Sequence, residues 1–99
     1  MQMINLVFDE ECKDVDLLMV PKEIACNVDA VVTEFFTWLS DSENQKQFLV
    51  SDDNGGSVLS VGTDAFLWWL NNIRILDSNK AYIVRQYAEF SPHLPTAFF

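Results

Sequence analysis

Thr63-Asp64-Ala65-Phe66-Leu67-Trp68-Trp69-Leu70-Asn71 decides how the rest of the chain is read. Thr63 suits an N-cap, and Asp64 suits a first helical turn, where a carboxylate meets the positive end of the helix dipole. Phe66, Trp69, Leu70 and Ile73 follow at helical spacing and form one apolar stripe, so an amphipathic helix is expected from Thr63 to about Arg74, or only to Asn71-Asn72 if Asn forms the C-cap. Trp68 breaks the pattern. At 3.6 residues per turn it falls about 200° from Phe66, opposite the core stripe.

Outward from this helix, the chain supplies what such a face packs on. Met3 to Phe8 sets Ile4, Leu6 and Phe8 against Asn5 and Val7, the alternation of a half-buried strand. After the charged connection Asp9 to Asp14, Val15 to Val20 reads as a second strand, with Val15, Leu17 and Met19 on one face and Leu18 and Val20 on the other. The two strands suit a hairpin with a loop of about six residues. Pro21, which cannot donate to a ladder, closes it.

A first helix follows, starting either at Lys22 behind Pro21 or at Asn27 as N-cap. In both cases Ile24, Val28, Val31, Val32, Phe35, Trp38 and Leu39 share one arc, with Phe36 at its edge. A start at Lys22 turns Cys26 outward. Asp52-Asp53-Asn54-Gly55-Gly56 offers the positive φ values of a tight turn, which favours a hairpin over residues 47–61; a helical turn over 43–47 is the competing reading of its start. Residues 80–87 are rich in strand formers. The tail from Ser91 to Phe99, with Pro92, Pro95 and a terminal Phe98-Phe99, reads as extended.

The expectation is a single α+β domain over residues 1–99, with 91–99 as an extended C-terminal tail. A small antiparallel sheet of about five strands would pack against two amphipathic helices in the order β-β-α-β-β-α-β. Phe35-x-x-Trp38-Leu39 and Phe66-x-x-Trp69-Leu70 echo each other 31 residues apart, which fits this layout without implying duplication. Ninety-nine residues, 49% of them hydrophobic, with only three Gly and three Pro, provide core material without metal or disulfide support.

Charge is distributed unevenly. Residues 1–53 hold twelve carboxylates and three cations, and residues 54–99 hold three of each, so the whole net charge of −9 lies in the first half. Such a balance repels nucleic acid and anionic membrane and steers basic surfaces inward. It also keeps an apolar-rich protein soluble. No apolar run reaches the roughly 20 residues of a membrane span. There is no secretory signal pattern, and Cys12 and Cys26 make no framework, so a cytoplasmic location is expected.

Catalytic patterns are missing. The one histidine, His93, sits between prolines in the tail, a poor platform for a general base. Cys12, Cys26 and His93 lack zinc-ligand spacing. The 52–56 stretch lacks the alternating oxygens and distal Glu of a calcium loop, and the Gly55-Gly56 pair lacks the lysine of a phosphate loop. No enzyme activity, metal or cofactor is expected.

Two contact features remain: an acidic patch of Asp9, Glu10, Glu11, Asp14, Asp16, Asp52 and Asp53, and the outward Trp68. Together they suggest a small acidic protein that neutralises a basic protein partner. The physical type is that of immunity proteins and antitoxins covering a nuclease toxin, an analogy of charge and size alone. A nucleic-acid mimic acting on a DNA- or RNA-binding protein is a related alternative, as phage-encoded inhibitors can be. A structural homodimer built on Trp68 and the Phe98-Phe99 tail is the other.

Overall fold

The computed structural model describes residues 1–8, 14–51 and 53–99. Its main sheet has four strands: β1 (Gln2–Val7), β2 (Asp14–Val20), β5 (Tyr82–Glu89) and β6 (Thr96–Phe98), in the order β5-β2-β1-β6. β1 and β2 form the expected antiparallel hairpin, with Ile4 opposite Leu18 and Leu6 opposite Asp16. The α+β class holds, but the sheet differs from a five-stranded antiparallel one. Residues 49–51 (β3) and 57–59 (β4) pair only with each other, as a separate ribbon. The fourth place in the main sheet goes to β6, which runs parallel to β1.

Backbone donors explain how the tail becomes a strand. Pro92 and Pro95 interrupt its own N–H groups, and β1 supplies the missing partners. Asn5 N donates to Pro95 O at 2.9 Å, and Phe99 N donates to Val7 O at 2.9 Å. The Asn5 side chain is fully buried and completes the joint: its Nδ2 donates to Ser91 O at 2.8 Å and Thr96 Oγ1 at 3.1 Å, and its Oδ1 accepts from Ser91 N at 3.3 Å. A buried amide satisfied this fully holds one arrangement of the tail.

Both starts of the first helix are realised. α1 (Lys22–Cys26) follows Pro21, the chain kinks at Asn27 (φ −129°, ψ 35°), and α2 (Val28–Leu39) begins afresh. The kink turns Cys26 outward as an exposed free thiol. α2 buries Val28, Val31, Val32, Phe35 and Leu39, the expected arc, and leaves Phe36 exposed at its edge. A short α3 (Ser42–Gln45) and a 3-10 turn (Lys46–Phe48) then lead into β3, so the helical turn and the hairpin both exist in that segment.

α4 (Thr63–Trp69) starts as expected, but Gly62 takes the cap position and Thr63 is the first helical residue. The helix then widens into a π segment over Leu70–Arg74, where Ile75 N donates to Leu70 O at 2.7 Å. That wider turn corrects the expected stripe: Ile73 rotates to 42% exposure, and Ile75 takes its place in the core at 6%. Asn71 does not cap the helix; its side chain holds the Ala81 backbone through N–H···O bonds of 2.9 and 2.8 Å, fixing the approach to β5.

The core lies between the sheet and the helices. Ile4, Leu6, Leu18 and Val20 of the sheet meet Phe35 of α2 and Phe66 and Trp69 of α4. Phe35 is at the centre, with ring centroids 5.4 Å from both Phe66 and Trp69 and 6.2 Å from Phe99. Trp69 Nε1 is buried with no acceptor among the described residues, a cost of about 1–3 kcal/mol that the buried ring must outweigh.

On the outer surface Arg74 clamps both parts of the broken helix. It reaches Glu23 of α1 at 2.6 Å and Glu34 of α2 at 3.2 Å. The hydrogen bond to Glu23 is the largest cause of a guanidinium pKa raised above its ordinary value, so Arg74 stays charged throughout the range where the protein is handled. A raised folded pKa stabilises below the ordinary value, so the clamp is fully present at neutral pH. Arg74→Met should lower stability by about 0.5–1.5 kcal/mol, and 1 M salt should remove much of that difference in urea titrations, because both partner carboxylates are more than half exposed.

Candidate functional site

The three described members of the acidic patch, Asp14, Asp16 and Asp53, stand in different environments. Asp9, Glu10, Glu11 and Asp52 lie outside the described residues. Asp14 is exposed at the start of β2, and Asp53 is exposed in the β3–β4 turn, where Gly55 adopts the positive φ (80°) that such a turn requires. Asp14 faces Glu89 directly across the β2–β5 ladder, and no cation among the described residues is paired with either. Like charges in opposed positions repel, so a cation arriving here relieves an existing cost.

Asp16 behaves differently. It shares strand parity with Leu18 and Val20 and so lies on the helix-facing side of β2, half-buried beside Leu6. Thr63 Oγ1 donates to one of its oxygens, and Tyr87 N donates to the other at 3.2 Å. Tyr87 lies where β5 carries one more residue than β2 between the Val15–Ala88 and Leu17–Arg85 pairs. It adopts φ 54°, the left-handed region that a bulky side chain rarely occupies. The Asp16 bond offsets that strain and turns the ring outward to 79% exposure. This carboxylate therefore joins β2, β5 and the start of α4.

Trp68 is 37% exposed and packed on one side. Trp38 of α2 lies 6.1 Å away, and Phe48 meets it edge-on at 5.9 Å and 81°. The short helical turns after α2 bring Phe48 there. Between this trio, the ribbon and β5 lies a groove of about 480 Å³, lined in part by Asp16, Phe48, Val50, Asp64, Trp68 and Gln86. It brings Asp16 and Trp68 together, two residues the sequence assigns to separate features. The groove itself was not expected, since it depends on the ribbon standing apart from the main sheet.

The ribbon is open on both faces. Leu49, Val50, Val58 and Leu59 are each 41–48% exposed. Leu49 stands opposite Leu59 and Val50 opposite Val58, so each face of the ribbon carries one exposed apolar pair. His93 is exposed in the turn before β6, and no group of three or more His, Cys, Asp or Glu among the described residues is placed to hold a metal ion. No helix among the described residues is long and apolar enough to cross a membrane. In comparisons with known proteins, the chain matches no family model, no curated protein and no solved structure.

Proposed function

We propose that the protein is a small acidic binding module that neutralises a basic protein partner, in the manner of an immunity protein or antitoxin. The observation that carries this reading is the use made of its few cations. Of the five described cations, Arg74 is held by Glu23 and Glu34, Lys46 by Glu43, and the Lys80 ammonium by the Ile75 carbonyl, while Lys22 and Arg85 are exposed. Asp14, Asp29, Asp41, Asp53 and Asp64 meanwhile stay exposed. The unneutralised charge thus stands at the surface, where it steers association and pairs with Lys or Arg. The mechanism is occlusion: carboxylates set the approach and orientation of the partner, and apolar surface around Trp68 supplies buried area.

The test is to isolate the partner from the native host by affinity capture and then measure its binding to the purified protein as a function of salt. The partner should carry a net positive charge, and its Kd should rise by about tenfold or more between 50 and 200 mM salt as screening shortens the reach of the carboxylates. An acidic partner, or an affinity flat across that range, overturns the reading.

A further inference from the structure

We propose that the groove between the β3–β4 ribbon and α4 receives an arginine side chain of the protein partner, stacked on Trp68 and paired with Asp64. This assignment rests on the basic-partner reading and locates its centre. Trp68 is held from one side by Trp38 and Phe48, with part of its surface left open, so a flat aromatic wall exists before anything binds. Asp64, one turn earlier on α4, is exposed on the same groove, and Asp16 is fixed at its floor by Thr63 and Tyr87. Among the described residues, no lysine or arginine lines it.

The chemistry of this lining selects its occupant. An apolar segment would strip water from two carboxylates and give nothing back. A second copy of the chain brings another net charge of −9, and nucleic acid brings phosphates, so both are repelled. A cation is attracted by both parts of the site, the indole face and the carboxylates. Arginine fits better than lysine because its planar guanidinium stacks on an indole while its edge donates hydrogen bonds to a carboxylate; an ammonium presents no such plane.

The probes are tetra-arginine amide and tetra-lysine amide, titrated at low salt into the ¹⁵N-labelled protein. Tetra-arginine should bind about three- to tenfold more tightly than tetra-lysine, with a large shift of the Trp68 indole N–H. Asp64→Asn and Trp68→Leu should each weaken it by about three- to tenfold. Asp64 is exposed, so Asp64→Asn keeps the fold; if Trp68→Leu does not, the wild-type indole shift and Asp64→Asn decide the matter. Tetra-arginine binding that leaves the Trp68 indole unmoved, that ignores Asp64→Asn, or that tetra-lysine equals overturns the groove while leaving a basic partner in place. Failure of both peptides to bind at low salt overturns the groove and the basic-partner reading together.

Discussion

Phe35→Ala is expected to cost about 3–5 kcal/mol, the range for deleting a fully buried aromatic ring. Phe35 has no exposure, and its ring packs against Phe66 and Trp69 of α4 and against Phe99 of the tail. Three parts of the chain far apart in sequence therefore border the cavity, and each is tied to a strand or a neighbouring helix that limits its collapse. Domains of this size hold about 5–15 kcal/mol in total, so the variant stands near the edge of folding at 25 °C. Urea unfolding followed by tryptophan fluorescence measures the loss directly. A change below about 1 kcal/mol would mean that the ring is not the junction of helix, helix and tail. Phe36→Ala is the internal comparison: one residue along and 43% exposed, it should cost much less.

The second large effect belongs to Asn5. Asn5→Leu keeps the approximate volume but leaves Ser91 N without its acceptor and removes one of two bonds at Ser91 O and at Thr96 Oγ1, which keep their bonds to Leu94 N and Leu94 O. One orphaned buried N–H costs about 1–3 kcal/mol and each of the two lost bonds about 0.5–1.5 kcal/mol, so with partial relaxation toward water the total should be about 2–4 kcal/mol. The location of the damage is the sharper result. Amide exchange at Phe99, whose N–H bonds to Val7 O, should accelerate well beyond that of the β1–β2 ladder, because β6 opens before the sheet does. Equal acceleration at both places would count against a local role for Asn5.

Much of the fold is written in local periodicity. Strand alternation places Ile4, Leu6, Leu18 and Val20 in the core, and helical spacing places Phe35, Phe66 and Trp69 there. Local pattern fails where the backbone departs from a regular repeat. A π turn leaves no mark in the spacing, so Ile73 and Ile75 exchange roles without warning. The separation of the ribbon depends on which strands pair, and both arrangements have the same alternation. Asp16 carries a signal of its own within the β2 pattern. Its parity with Leu18 and Val20 puts it on the inner face, and a carboxylate there needs donors, which Thr63 and Tyr87 provide. Asn5 carried a similar signal, being a lone amide within an apolar strand. Helical spacing separates Trp68 from the core stripe, but its cover comes from Trp38 and from Phe48, the latter on a short turn that spacing alone does not place.

The uneven register of β5 has a consequence for the behaviour of the molecule in concentrated solution. β5 is an eight-residue edge of the sheet, and its surplus residues fall at two separate points, one at Val84 and one at Gln86-Tyr87. A straight edge of that length would be an open template for a foreign strand, the growth point of amyloid-type stacking. Two interruptions leave no run of evenly spaced N–H and C=O groups long enough to seed a second chain. In a chain with eight Phe and three Trp, that irregular border acts as protection against self-templated assembly, and Asp16 helps to hold it in place.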